Sequence, residues 1–203
     1  MLPDELSAYL GRIDIYLLDQ VLRGHILPGM RIMDVGCGHG RNVVYFLRSG
    51  FDVAGLDPNP LAIETARALA LELAPRLPSD AFRLETAESS TFPDACADVV
   101  ISNAVLHFAR DFEHFQAQLD GAWRLLDEGG LFFARMASSI GLGRPVQHPD
   151  GALGQPEGSG GFLANLETLL AATERLGGEL VDPIKTTNVQ EMRAMTTWVL
   201  RKR

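Results

Sequence analysis

Met30-Arg31-Ile32-Met33-Asp34-Val35-Gly36-Cys37-Gly38-His39-Gly40 is the stretch whose reading decides the fold. Its first half, Arg31–Val35, reads as a buried strand. It runs straight into a turn with glycine at every second position. Val43, Val44 and Leu47 then fall on one face of the following segment, which predicts a helix over Arg41–Ser49. Strand, glycine turn and helix in succession place a nucleotide at the carboxyl edge of a sheet. Glycine admits backbone conformations that side chains forbid and lets a ligand approach the main chain. A helix after the turn points free N–H groups and its positive dipole end at that ligand. The spacing is G-x-G-x-G, whereas a dinucleotide fingerprint is G-x-G-x-x-G, and Arg41 stands where its last glycine would be. The turn therefore suits a nucleotide-like ligand without a pyrophosphate better than NAD. The plain alternative is an ordinary strand-to-helix turn.

Working outward, a chain of 203 residues is long enough for one α/β domain with a full core and too short for two of ordinary size. Hydrophobic content of 46% and charged content of 22% describe a soluble globular protein. A net charge of −8 argues against nucleic acid as the main partner, because phosphate binding wants a basic face. Arg201-Lys202-Arg203 is basic but reads as a solvated tail. No apolar run reaches the roughly 18 residues of a membrane span. The first residues, MLPDELSAYL, are acidic early and lack the basic start of a signal peptide. Two cysteines, Cys37 and Cys96, make no disulfide framework, and a reduced cytoplasmic protein is expected. No Cys/His spacing suggests a metal site.

Upstream of the glycine turn, Leu6, Leu10, Ile13, Leu17 and Val21 recur at helical intervals, which predicts one helix over Asp4–His25 as an extension within residues 1–27. Arg12 and Tyr16 lie one turn apart on it, either packed and solvated or closing over a ligand above the strand ends. Downstream, Phe51–Leu56 is the second strand, ending Gly55-Leu56-Asp57-Pro58-Asn59. Asp57 stands about 20 residues past the first turn glycine, where a carboxylate can accept hydrogen bonds from both ribose hydroxyls. It could instead cap the next helix, but Asn59 followed by Pro60 can do that. A helix is expected over Pro60–Ala74, a strand over Phe82–Thr86 and a strand over Ala97–Ser102. Then come a helix over Asp111–Asp127 and a strand over Leu131–Met136. This alternation predicts a parallel sheet with right-handed crossovers and helices on both faces. Residues 137–161 change character, with seven glycines and three prolines, and read as a lid or insertion. A helix is expected over Phe162–Leu176. Glu179–Thr187 and Met192–Arg201 then form a hairpin, so the last strand runs antiparallel to the others. The expected whole is a single Rossmann-like α/β domain over residues 1–203, with seven strands.

With these features in place, the chain resembles the class I S-adenosylmethionine-dependent methyltransferases over roughly Arg31–Arg203. Asp34-Val35-Gly36-Cys37-Gly38-His39-Gly40 matches the first motif, and Gly55-Leu56-Asp57 the acidic end of the second strand. Leu126-Asp127-Glu128-Gly129-Gly130 is similar to the turn before the fifth strand, with Glu128 where proline is usual. Gly40-Arg41-Asn42 loosely resembles the tellurite-resistance branch.

The resemblance implies the cofactor S-adenosyl-L-methionine and a set of roles. Gly36 and Gly38 would pass close to its amino-acid portion, Cys37 and Gly40 would belong to the same cofactor-binding turn, and Asp34 would help order the turn and the ammonium. Asp57, followed by Pro58, would hold the ribose. Thr86, Ala87 and Glu88 would lie beside the adenine, although Thr86 stands where an aspartate is common. Asn103 and Ala104 would flank the methionine part, and Tyr16 or Arg41 would grip its carboxylate. His107 is the candidate base, or else a partly buried residue at a helix start. His39 reads as structural, and His25, His114 and His148 as solvated. Asn103-Ala104-Val105-Leu106 replaces the Asn-Pro-Pro-Tyr pattern of nucleobase and amide methylation, which points to a small-molecule acceptor. An NAD(P)-dependent oxidoreductase and a non-catalytic cofactor-binding protein are the competing readings.

Overall fold

The protein is described here by a computed structural model covering residues 2–142, 152–154, 160–190 and 193–203. Five strands alternate with helices: β1 (Arg31–Val35), β2 (Asp52–Asp57), β3 (Phe82–Leu84), β4 (Ala97–Asn103) and β5 (Leu126–Ser138). Their order in space is β3-β2-β1-β4-β5, all parallel. The sheet continues into β10 (Arg193–Lys202), which lies antiparallel to β5 from Ala194↔Ser138 to Arg201↔Leu131. Beyond β10, two short strands share one position, β8 (Gly178–Leu180) and β9 (Lys185–Val189), each antiparallel to β10. The sheet thus has eight strands at the seven expected positions. The expected single strand Glu179–Thr187 is split because Pro183 has no N–H to give a ladder. Asp182, beside it, turns inward to receive Arg23 at 2.6 Å and Gln20 at 3.2 Å.

Period-two alternation assigns the side chains to two layers. Ile32, Val99, Ile101, Phe133 and Val199 face one layer, with Leu17, Phe46 and Ile63. That layer holds α2 (Ile15–Leu22), α3 (Val44–Arg48) and α4 (Pro60–Leu73). Met33, Val100, Phe132, Ala134 and Trp198 face the other, with Phe115, Leu119 and Leu169 from α5 (Phe112–Leu125) and α6 (Leu166–Arg175). Continuing the first row to the strand tips puts Asp34, Asn103 and Arg135 on the same face as α2 and α3. Three polar side chains at the tips of an otherwise apolar row mark where the core ends and a site begins.

Several expected boundaries move. The N-terminal helix is two, α1 (Pro3–Leu10) and α2, broken at Gly11, whose φ of 65° is left-handed. A Cβ at Gly11 would stand 2.8 Å from the Cβ of Val44, so the break lets the chain press against α3. The helix expected from Arg41 begins at Val44, because residues 41–43 still belong to the turn. The strand expected to Thr86 stops at Leu84, and a 3-10 turn covers Ala87–Ser89. The helix expected over Asp111–Asp127 spans Phe112–Leu125, and β5 starts at Leu126, with its register against β4 shifting between Ala97 and Val99. Within 137–161, Ala137 and Ser138 extend β5. Ala152–Gly154 (β6) and Gly160–Phe162 (β7) pair antiparallel, and residues 143–151 and 155–159, His148 included, lie outside the described residues. The helix expected from Phe162 starts at Leu166, capped by Asn165.

Candidate functional site: the strand tips

The glycine turn is fastened to the tip of β2. The N–H groups of Gly36 and Cys37 both donate to the Leu56 carbonyl, at 2.8 and 3.0 Å. Gly38 N–H donates to Asp57 Oδ2 at 2.8 Å, and Asn59 N–H to Asp57 Oδ1 at 2.9 Å. Asn59 caps α4 through Leu61 N–H, which leaves Asp57 free of that duty. A carboxylate has about four acceptor positions. Asp57 spends one on each backbone donor and keeps the others for a ligand.

The turn's shape demands glycine. Gly36, Gly38 and Gly40 have φ of 71°, 51° and 81°. A Cβ at Gly36 would stand 2.3 Å from Val105 Cγ2, and one at Gly40 2.9 Å from Leu69 Cδ2. At the end of β4, Ala104 also takes a left-handed φ of 62°, held by its N–H on the Arg135 carbonyl at 2.7 Å. Such strain in a non-glycine residue persists only where the surroundings enforce it, and it clusters at ligand sites.

These segments enclose a cavity of about 790 Å³ lined by Gly36, Gly38, Arg41, Asn103, Ala104 and Arg12, with Cys37 and His39 also on its wall. Ligand sites span about 300–1,000 Å³. Arg41 reaches across to donate to Asn103 Oδ1 at 2.8 Å. Beside them are polar atoms that the fold leaves unused. Both oxygens of Asp34, a residue only 1% exposed, and the Nδ2 of Asn103 are buried without a hydrogen-bond partner. An unmet buried group costs about 1–3 kcal/mol, so its presence asks for a partner from outside the chain. Burial pushes the Asp34 carboxyl up to about 7; Arg41 opposes the rise and Asp57 adds to it. Burial likewise raises the Cys37 thiol, with Asp34 and Asp57 adding to the effect, so Cys37 stays protonated and is a wall residue.

Other candidates lie differently. His107 is 7% exposed, and its Nδ1 accepts the Ala137 N–H at 3.3 Å. Burial lowers its pKa. Glu88 meets His114 at 3.3 Å, the Thr86 hydroxyl meets Ser89 at 2.7 Å, and Ala87 is buried. The Ala87 carbonyl lies where a Cβ at Gly121 would stand 2.2 Å away, so α5 fixes this loop. The Tyr16 hydroxyl bonds Thr187 at 2.7 Å, and its ring carries the Arg135 guanidinium at 4.9 Å.

Sequence reasoning missed Asp14, Asn42 and Arg135. Asp14 caps α2 through Tyr16 N–H, pairs with Arg135 at 3.1 Å, and donates its own N–H to Asn42 Oδ1 at 3.1 Å. It therefore ties the N-terminal segment to both the glycine turn and the β5 tip. The cap was legible in Asp14-Ile15; the pairing with a residue 121 positions away was not.

Among the described residues no group of acidic, His and Cys side chains could hold a metal, and no helix is long and apolar enough to cross a membrane.

A methyltransferase-domain family model matches residues 33–134, just over half of the chain. A ubiquinone biosynthesis O-methyltransferase from Chelativorans sp. is 31% identical over 118 residues, which is 56% of this chain and 44% of that protein. The chain spans about half the length of the curated relatives it matches. The crystal structure of a 1,6-didemethyltoxoflavin-N1-methyltransferase from Burkholderia thailandensis covers 98% of this chain and 85% of its own, with TM-score 0.71 at 19% identity. TehB from Haemophilus influenzae covers 94% and 63%, with TM-score 0.66 at 19% identity. At these identities the structures establish the shared fold. The matched segment begins in β1 and ends in β5, so it contains the glycine turn, Asp57 and Asn103, and on that match the chain belongs to the methyltransferase-domain family and has the class I fold of S-adenosylmethionine-dependent methyltransferases.

Proposed function

We propose that the protein transfers a methyl group from S-adenosyl-L-methionine to a small-molecule acceptor. The observation that carries this reading is the unmet buried Asn103 amide on the cavity wall, bonded to Arg41, with the unmet Asp34 carboxyl buried at the tip of the neighbouring strand and within charge range of Arg41. A carboxylate for an ammonium, and an amide N–H with a guanidinium for a carboxylate, are what an amino-acid tail requires. Asp57 keeps acceptor positions for ribose hydroxyls at the neighbouring tip. The residues present therefore fit the cofactor. Bound there, it supplies a sulfonium methyl group whose leaving group is a neutral thioether. The chain's task is to orient, to exclude water, and to leave the acceptor's line of approach open. Ala104 and Arg41 border that approach. His107, buried and with Nδ1 occupied by Ala137 N–H, serves best by holding the β4–β5 junction. The acceptor's proton then departs to solvent.

Pro58 and the loop Thr86-Ala87-Glu88 are proposed to border the adenosine, with Ala87 fixed by α5. Tyr16 is proposed to shape the cavity through Arg135. The N-terminal helices, the sheet and residues 137–161 are proposed to act as one methyltransferase domain over 1–203. Unpaired Cys37 and Cys96 suit a reducing, cytoplasmic setting. The family described by the matching model, together with the helix that starts only at Val44, weighs against an NAD(P)-dependent oxidoreductase.

Thermal shift tests the reading directly. S-adenosylhomocysteine should raise the melting temperature and NADH should not, because a ligand that binds only the native state stabilises it. The reverse result ends the proposal. Within the site, Asp57→Ala should weaken S-adenosylhomocysteine by about 1–3 kcal/mol, roughly 5- to 150-fold. An unchanged dissociation constant in calorimetry removes Asp57 from the site.

A further inference from the structure

Arg12 is the guanidinium in this cavity that the fold does not use. It lines the wall, yet it makes no ion pair or hydrogen bond among the described residues. Its neighbour Arg41, by contrast, is engaged with Asn103. Arg12 is also not on a free-swinging segment. On one side, Gly11 is pressed against Val44 of α3 in a conformation that admits no side chain. On the other, Asp14 is 7% exposed and anchored at three points: Asn42, Tyr16 N–H and Arg135. The two residues that bracket Arg12 thus fix its backbone against the wall beside the glycine turn. A surface arginine on a mobile tail would be ordinary; an unpaired one clamped at the mouth of a cavity calls for an account.

Charge supplies one, and it rests on the methyltransferase reading above. The donor's amino-acid tail is a zwitterion, and its own needs are met by Asp34 for the ammonium and by Arg41 with Asn103 for the carboxylate. Its sulfonium adds a further positive charge. Of the acidic side chains at these tips, Asp34 and Asp57 are committed to the donor and Asp14 to Arg135. With the donor in place these groups sum to one positive charge in excess: the sulfonium and Arg12 against Asp57, whose ribose partners carry no charge. A cationic acceptor is repelled there, a neutral one gains nothing from Arg12, and an anionic one is attracted and bonded bidentately.

The geometry points to an acceptor that carries an anionic oxygen, a carboxylate or similar oxyanion, which Arg12 binds while a separate nucleophilic atom of the same molecule takes the methyl group. The bond from sulfur to methyl breaks as the bond from methyl to the nucleophile forms. Sulfur keeps the electron pair, and the nucleophile's proton leaves to solvent.

Calorimetry on the full chain saturated with S-adenosylhomocysteine tests this with benzoate against benzyl alcohol. Benzoate should bind measurably better. R12Q, at an exposed side chain whose loss leaves folding intact, should weaken benzoate at least about tenfold, while S-adenosylhomocysteine affinity stays within about twofold of native. R12K should retain part of the benzoate affinity. Turnover gives the second arm: mercaptoacetate should exceed 2-mercaptoethanol in kcat/KM, and R12Q should erase the difference. Equal binding of benzoate and the alcohol, no benzoate binding at all, or an unaltered R12Q overturns the proposal. So does an R12Q that weakens S-adenosylhomocysteine and spares benzoate, which gives Arg12 to the donor's carboxylate. A native protein that never takes up S-adenosylhomocysteine sinks the methyltransferase reading itself; one that takes it up but discriminates no anion sinks only the acceptor class.

Discussion

Gly36→Ala is expected to destabilise the protein by about 2–5 kcal/mol, seen as a fall in the denaturant midpoint with little change in slope. Two independent costs add. A left-handed φ of 71° costs a residue with a Cβ about 1–2 kcal/mol. The new Cβ also lands 2.3 Å from Val105 Cγ2, which over-packs the turn by about 1–3 kcal/mol. The two can be separated. Adding Val105→Ala should recover the steric part and leave the backbone part, so the double variant should be more stable than Gly36→Ala alone. A single variant as stable as native would mean that the turn does not hold this conformation. Against a typical total of about 5–15 kcal/mol, the loss is large enough to leave much of the chain unfolded at modest temperature.

The second large effect concerns pH. Asp34 is fully buried and its carboxyl is pushed up to about 7 from the ordinary 3.8, first by desolvation. The folded state therefore holds this proton more tightly than the unfolded chain does. Stability from this group is complete below about pH 4, falls as pH rises towards 7, and is flat above that. At about 1.4 kcal/mol per unit, the fall is on the order of 4 kcal/mol. Asp34→Asn keeps the shape and removes the slope. The variant should be less pH-dependent than native between pH 4 and 7 and more stable than native at pH 8, as read by urea midpoints across that range. It should also bind S-adenosylhomocysteine worse, because an amide does not balance an ammonium. A native protein with no downward slope in that window would show that Asp34 has a partner in the fold after all.

What could be read from the chain alone follows from how local each cause is. The strand Arg31–Val35, the three turn glycines and the position of Asp57 rest on neighbours within a few residues, and they stand where expected. The parallel sheet and its antiparallel last strand followed from alternation and from one short connection; the order of the strands in space did not. The errors share a different cause. Helical spacing ran through Gly11 because nothing nearby in sequence announces Val44, the side chain that requires the break. The strand expected to start at Leu131 begins at Leu126, since its ladder is decided by β4 and not by Gly129-Gly130. The site shows the same division. Asp34, Gly36, Gly38, Arg41 and Asn103 were each nameable from motif positions. That Arg41 would bond Asn103, 62 residues away, and that Asp14 would bridge Asn42 and Arg135, depend on chain segments meeting in space. Arg12 was visible only as one of two residues on a helix face, and its meaning comes from what brackets it.

The borders of the sheet carry a last consequence. A long row of unpaired main-chain groups invites another chain to add itself and begin a fibril. Here one border is β3, three residues long, and the other is shared by β8 and β9, three and five residues, with Val181–Ile184 between them. Pro183 removes a donor at the middle of that second border. The interruption that cost the sheet its seventh continuous strand thus denies a second molecule any template of useful length. A Pro183→Val change that fused the two pieces would be the place for self-association to start.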